Sequence, residues 1–149
     1  MSIPVSLYRF GNFFYKKGYI KIGKIISILN RFLFATWIPS SAEIGKNFKI
    51  GYGGLGVVIH SNTKIGNNCL IAQNVTIGKN FGDLLVPVIG NDVYIGAGSV
   101  VFGEIVIGDN VIIGSNSVVN KNIPNNCTVV GNPMRIIKYN RIEKYYEIS

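Results

Sequence analysis

Aliphatic residues recur at every sixth position through most of the chain after residue 37. All steps are of six residues except those from 50 to 59 and from 77 to 89. Neither a 3.6-residue helix nor a two-residue strand alternation produces this period. The positions are Ile38, Ile44, Ile50, Ile59, Ile65, Ile71, Ile77, Ile89, Ile95, Val101, Ile107, Ile113 and Val119.

The period of six predicts a triangular parallel β-solenoid. Each hexad supplies one short strand and one corner, the aliphatic residue points inward, and about three hexads complete one turn. Glycine follows the aliphatic residue at eight of the positions, where it relieves the corner. Cys69 falls in a second inward slot of the hexad, which favours a small core residue over a nucleophile.

The first 36 residues do not follow this period. Ile22, Ile25, Ile26, Leu29 and Leu33 have helical spacing. We predict a helical cap over 1–36, which covers the open end of the coil and its unpaired strand edge. The coil itself is predicted over 37–138, and a basic tail or short helix over 139–149.

Positive charge is concentrated at the amino-terminal end. The net charge is +8, six basic residues precede residue 35, and the first acid is Glu43. This segment has two readings, which are compatible: a cap packed on the coil, or attachment to an anionic membrane surface. No basic-aromatic motif on a recognisable fold accompanies the charge, so nucleic acid is not a predicted partner.

The two cysteines do not form a disulfide framework, and the sequence contains neither a secretory signal nor a long apolar span. A cytoplasmic protein is therefore expected, with peripheral membrane contact as an addition. No metal is expected, because zinc chemistry on a β-helix would need three histidines at a subunit interface and the chain has one.

Two breaks interrupt the repeat, and breaks in a regular solenoid are candidate sites. The first, YGGLGVV, covers 52–58, and the second, KNFGDLLVP, covers 79–87 and places Asp83 in an aliphatic slot. His60 follows the first break in a corner position. It is either an ordinary surface histidine or a general base, since an imidazole titrates near neutral pH.

Three runs resemble the left-handed parallel β-helix of hexapeptide-repeat acyltransferases: IGNNCLIAQNVTIG, VIGNDVYIGAGSVVFGEIVIGDNVIIGSNSVV and VVGNPMRII. The most similar branch is serine acetyltransferase-like and includes O-acetyltransferases of capsule and O-antigen gene clusters. The resemblance implies a homotrimer that binds acetyl-CoA in a groove between adjacent coils. His60 would then remove the proton from an acceptor hydroxyl.

The resemblance also implies cofactor-binding positions. Arg135 and Lys138 would meet the nucleotide phosphates. The alternative for the glycine and alanine positions is that they serve only the geometry of the corners. The other matching positions are Lys79, Gly96, Ala97, Gly114 and Ser115.

The serine-type active site does not carry over residue by residue. The family's catalytic histidine falls near Tyr52 and the preceding acid on Gly51, while a second acid falls on Trp37 and a further histidine on Val86. We therefore expect a sugar hydroxyl of a surface polysaccharide as acceptor, with serine as the alternative. A catalytically inactive β-helix scaffold is a further alternative.

The expected substrate site consists of Tyr52, Trp37 and Asp83. The two aromatic side chains either stack on a sugar face or pack against the helices or a neighbouring subunit. Asp83, Asp92 and Glu104 are the acids available to orient the imidazole, and the sequence does not choose among them.

Overall fold

Three sheets form the sides of a solenoid in the computed structural model, which describes residues 2–148. Face A contains β1 (Glu43–Ile44), β4 (Lys64–Ile65), β7 (Val88–Ile89) and β10 (Val106–Ile107). Face B contains β2 (Lys49–Ile50), β5 (Leu70–Ile71), β8 (Tyr94–Ile95), β11 (Ile112–Ile113), β13 (Thr128–Val130) and β14 (Arg135–Lys138). Face C contains β3 (Val58–Ile59), β6 (Thr76–Gly78), β9 (Val100–Phe102) and β12 (Val118–Val119).

The predicted aliphatic positions stack inside the coil. On face C, Ile59, Ile77, Val101 and Val119 lie in register on consecutive turns, and each has 0% of its surface exposed. Their neighbours along the strand point outward, so each two-residue strand contributes one residue to the core. The hexad prediction is confirmed, and the architecture is that of a left-handed parallel β-helix.

The corner between faces A and B shows why asparagine recurs in the hexads. Asn47, Asn68 and Asp92 have φ angles of 55°, 56° and 57°, a left-handed conformation that Asn and Asp tolerate better than most residues. Their side chains also bond from turn to turn: the Asn47 amide donates to Asn68 at 2.9 Å, and the Asn68 amide donates to Asp92 at 3.0 Å. The polar residues of the hexad are thus set by backbone geometry.

Two helices, α1 (Ile3–Lys16) and α2 (Ile20–Phe34), cover the first turn. Helix α1 supplies hydrogen-bond donors to carbonyl groups at the open edge of the coil. The Tyr8 hydroxyl donates to the Ala42 carbonyl at 2.7 Å, and the Asn12 amide donates to the Ser40 carbonyl at 2.8 Å. The Arg9 guanidinium donates to the carbonyls of residues 44 and 45. The predicted helical cap is confirmed.

The carboxyl-terminal segment closes the other end and then turns back along the coil. Strand β14 is antiparallel to β13, unlike every other pair in the coil. Arg141 is buried, with its guanidinium donating to Thr128 at 3.1 Å. Residues 139–148 contain no helix, so of the two predicted forms, a tail or a short helix, the segment is a tail. This tail is hydrogen-bonded to the coil.

Candidate active site

The two breaks lie one turn apart but at different corners. Residues 51–56 form a short turn between faces B and C, where Tyr52 and Gly53 have φ angles of 47° and 66°. Residues 79–87 lie between β6 and β7, at the corner between faces C and A. The two breaks are therefore on opposite edges of face C. Counting hexads in threes from Ile59 would have revealed this from the sequence.

His60 stands at the same corner as the second break, directly after β3. Its N–H donates to the carbonyl of Ile77 at 2.9 Å, and its carbonyl accepts the N–H of Thr63 at 3.1 Å. Its half-buried side chain lines a cavity of about 590 Å³ between helix α2 and face C. Lys24 and Ile28 of α2 form part of the opposite wall.

The hydrogen bond of the imidazole determines which nitrogen can act. Nδ1 of His60 accepts the backbone N–H of Asn62 at 3.2 Å. A neutral ring in this arrangement carries its proton on Nε2, which can donate but cannot accept. Nε2 becomes a base only if the proton moves to Nδ1 and the contact with Asn62 is released. Within residues 2–148, no carboxylate is hydrogen-bonded or ion-paired to the ring.

Within residues 2–148, none of the three acids proposed to orient the imidazole is hydrogen-bonded to it or ion-paired with it. Asp92 lies at the corner between faces A and B, where Lys144 pairs with it at 3.1 Å. Asp83 and Glu104 lie at the corner between faces C and A, on later turns than His60. The Asp83 carboxylate accepts the Glu104 N–H at 3.2 Å, so it holds the second break to the coil.

Of the two aromatic candidates, the structure brings only Trp37 to His60. Trp37 extends face C as a parallel bridge to Val58, and its half-buried ring lies beneath the Arg31 guanidinium at 5.7 Å. It lines the same cavity as His60. Tyr52 lies at the opposite edge of face C with 84% of its surface exposed. Within one chain the two aromatic side chains therefore do not share a cavity, and their expected role in substrate binding stays a prediction.

The positions expected to bind the cofactor also fall on two edges. Gly96, Ala97, Gly114 and Ser115 stack at the corner between faces B and C, whereas Lys79 is exposed at the corner between faces C and A. A Cβ at residue 96 would lie 2.5 Å from the backbone nitrogen of residue 115. The geometry of the corner is therefore by itself sufficient reason for glycine at residue 96, without a role in cofactor binding.

Arg135 and Lys138 occupy the two ends of β14, at the edge of face B, and both are exposed. Their side chains are the basic groups of this strand. They can therefore approach an anionic ligand from solvent, and they share an end of the coil with Gly114.

The described residues offer no obvious metal centre and no activated thiol. Residues 2–148 contain no group of three or more His, Cys, Asp or Glu side chains that could hold a metal ion. Cys69 is 1% exposed, and burial raises the pKa of its thiol to about 11. Since the thiolate is the nucleophilic form, Cys69 acts as a core residue.

The fold and the repeat define a hexapeptide-repeat transferase. The bacterial transferase hexapeptide (six repeats) family matches residues 87–121. A serine acetyltransferase of Helicobacter pylori is 37% identical over 136 residues, which cover 90% of this chain and 79% of that protein. The chain belongs to the serine acetyltransferase family.

Other relatives are longer than this chain. A serine acetyltransferase of Synechococcus elongatus is 40% identical over 133 residues, which cover 87% of this chain and 54% of that protein. The solved serine acetyltransferase of Brucella abortus strain S19 in complex with coenzyme A superposes with a TM-score of 0.86 at 28% identity, over 93% of this chain and 56% of that one. The chain thus spans little more than half the length of these two relatives.

Proposed function

We propose that this protein is an acetyl-CoA-dependent O-acetyltransferase with His60 as the general base. The observation that carries the proposal is the placement of the chain's single imidazole in a cavity between α2 and face C. A base with a pKa near neutrality is what transfer of an acyl group from a thioester to a hydroxyl requires. The Brucella relative solved with coenzyme A supports the choice of donor.

Serine is the acceptor that the relatives favour, because they are named serine acetyltransferases. This reverses the order expected from the sequence, in which a sugar came first. The cavity adds a physical reason: Lys24 gives its wall a positive charge that would attract the serine carboxylate.

A sugar hydroxyl is the second candidate, and one feature of the cavity favours it. The half-buried indole of Trp37 provides a flat apolar wall beside His60, on which a sugar ring can stack. The departures from the serine-type pattern at Gly51, Tyr52 and Val86 support the same candidate. Values of kcat/KM measured with L-serine and with sugar acceptors distinguish the two candidates.

The proposed chemistry is direct transfer. His60, with its proton on Nδ1, accepts the hydroxyl proton at Nε2 while the hydroxyl oxygen forms a bond to the thioester carbonyl carbon. Backbone N–H groups near the second break would stabilise the oxyanion. The carbon–sulfur bond then breaks, and the imidazolium returns its proton to the departing thiolate. No acyl-enzyme is required, because the two cysteines, Cys69 and Cys127, are both buried beside strands of face B and neither lines the cavity of His60.

A homotrimer would reconcile the two sets of cofactor positions. Within one chain, Lys79 and the stack at residues 96, 97, 114 and 115 are on opposite edges of face C. Neighbouring subunits could join the edge of one chain to the opposite edge of the next and close a groove between them. Arg135 and Lys138 would then be placed to bind the phosphates of coenzyme A.

The test is a coenzyme A release assay with acetyl-CoA and L-serine, nucleotide sugars or oligosaccharides as acceptors. We expect His60→Ala to lower kcat by about 10²–10⁴-fold, the usual contribution of a general base. Asn120→Ala is the control, because this exposed residue of the last turn does not line the cavity. Undiminished transfer by His60→Ala would remove His60 from the mechanism, and transfer to none of the acceptors would favour the inactive scaffold.

A further inference from the structure

Helix α2 presents its large apolar side chains to the outside. An ordinary surface helix buries its apolar stripe against the core. In α2 the buried positions are Gly23, Ile26, Ser27 and Asn30, which are small or polar with one exception. The exposed positions include Ile25 (57%), Leu29 (47%), Phe32 (81%) and Leu33 (66%).

The two helices pack through glycine, which lets their backbones approach closely. A Cβ on Gly23 would lie 3.2 Å from the Gly11 carbonyl oxygen, and a Cβ on Gly11 would lie 3.1 Å from the Ile26 side chain. Small residues thus fill the space between the helices, and the large apolar side chains of α2 lie outside. Helix α1 adds Phe10 and Phe13, exposed by 57% and 56%.

Positive charge surrounds this apolar region. Residues 2–42 contain no acidic side chain. Two copies joined through the same region would therefore bring cations against cations, whereas an anionic surface would be attracted. The exposed basic residues of the two helices and their junction are Lys16, Lys17, Lys21, Lys24 and Arg31.

We propose that the outer surface of the helix pair, formed by Phe10, Phe13, Ile25, Leu29, Phe32 and Leu33, binds anionic membranes. Neither helix within residues 2–148 is long and apolar enough to cross a bilayer. The pair instead lies in the plane of the interface, with its apolar side chains about 5–10 Å deep at the boundary of the headgroups and acyl chains. The cations bind the lipid headgroups.

Binding of the helix pair to a membrane would also determine where the cavity of His60 lies relative to the bilayer. Lys24 and Ile28 belong to α2 and line the cavity that contains His60. Membrane binding would therefore hold this cavity beside the bilayer, where an acceptor attached to lipid could reach it. That consequence rests on the proposed function, whereas the binding surface itself does not.

The experiment is sedimentation of the full chain with vesicles of phosphatidylcholine alone or of phosphatidylcholine with phosphatidylglycerol. We expect binding to the anionic vesicles, weakened by salt and by Lys17→Gln with Lys21→Gln. Phe32→Ser with Leu33→Ser should lower the partition coefficient by about tenfold or more, because both side chains lose their apolar burial in lipid. Ile142→Ser, at a side chain 91% exposed in the tail, is the control and should bind like the wild type.

Several results would overturn the proposal. They are absence of vesicle binding by the wild type, equal binding by the Phe32/Leu33 and Ile142 variants, or binding indifferent to the anionic lipid. Sedimentation velocity without lipid tests whether a second copy of the chain, rather than a membrane, covers this surface. If the Phe32/Leu33 variant forms a smaller species and the wild type ignores vesicles, a second copy covers the surface. Acetyl transfer is assayed separately, so failure of the proposed function leaves this test intact.

Discussion

His60 is held by its backbone and only loosely by its ring. Its N–H and carbonyl are fixed to Ile77 and Thr63, so the side chain must project from the corner between faces C and A. The ring has a single hydrogen bond, at 3.2 Å to a backbone N–H. Only this one contact must be released for the ring proton to move to Nδ1, which is why the resting tautomer does not preclude a basic role for Nε2.

Lys24 should distinguish the two proposed acceptors. Lys24→Gln removes the positive charge from the cavity wall, and a hydrogen bond to a charged group contributes about 1.5–3 kcal/mol. We expect kcat/KM for serine to fall by about tenfold or more, with little change for an uncharged sugar. Lys21→Gln, on the same helix, is the control in the coenzyme A release assay. Equal losses for both variants would mean that the charge acts at long range.

The two thiols should resist modification in the folded protein. Cys69 and Cys127 are each 1% exposed, and burial raises the pKa of Cys69 to about 11. At pH 8 about one Cys69 thiol in a thousand would be ionised. We expect Ellman's reagent to react with neither thiol until denaturant is added. Rapid reaction of one thiol without denaturant would show that the coil opens locally.

At the scale of single elements, each strand contributes one rung to a continuous core. Ile113 of β11 is fully buried, whereas Ile142 in the tail is 91% exposed. We expect Ile113→Ala to lower the free energy of unfolding by about 2–5 kcal/mol. Ile142→Ala should change it by less than about 0.5 kcal/mol. Urea unfolding measures both, and similar values would contradict the inward assignment.

Helix α1 stabilises the coil by bonding to its edge. Tyr8 is 1% exposed, and its hydroxyl donates to Ala42. Tyr8→Phe should cost about 0.5–1.5 kcal/mol, the net contribution of one hydrogen bond. Tyr139→Phe, at an exposed site, is the control for urea unfolding.

Tyr8 should also make the stability of the protein depend on pH under alkaline conditions. Burial raises the pKa of Tyr8 from 10.0 to about 12, even though the neighbouring Arg9 charge lowers it. The folded state thus favours the neutral phenol, and this stabilisation is complete below pH 10.0 and lost as the pH rises towards 12. Tyr8→Phe should reduce the fall in stability over that interval, as followed by unfolding at each pH.

At the scale of the molecule, the tail links the last turn to earlier ones. Tyr145 donates to the Asn68 carbonyl at 2.9 Å, and Asp92 accepts from Tyr146 and Lys144, each at 3.1 Å. These contacts join residues more than 50 positions apart. We expect Asp92→Asn to loosen the tail and to accelerate trypsin cleavage after Lys144, measured by mass spectrometry. Glu104→Gln removes an equal charge elsewhere and should cleave at the wild-type rate.

Low pH should also weaken the contacts between the tail and Asp92. Burial opposes ionisation of Asp92, but the hydrogen bonds from Lys144, Asn68 and Tyr146 outweigh it and lower the pKa of the carboxyl below 3.8. The stabilisation is therefore present above pH 3.8 and lost as the pH falls below it. Tail contacts that persist unchanged at lower pH, as followed by tyrosine fluorescence, would contradict this account.

The sequence by itself determined the coil, its core and the helical cap. The reason is that a hexad is a local unit: each inward aliphatic residue and each corner lies within six positions of the next. Ile59 and Ile77 could thus be assigned to the core without knowing their neighbours. The same regularity identified the breaks and the corner position of His60, since both are departures from a known period.

Only the tertiary structure decided which residues share a site. His60 meets Lys24 and Trp37, which follow no hexad spacing from it, while Tyr52 lies across face C. The sequence showed that α2 has helical spacing and basic residues, but it did not show that the apolar face of α2 points outward. It also did not show that the tail docks onto Asp92. These contacts depend on shape and hydrogen bonding between distant segments, and a repeat pattern carries no information about how such segments dock.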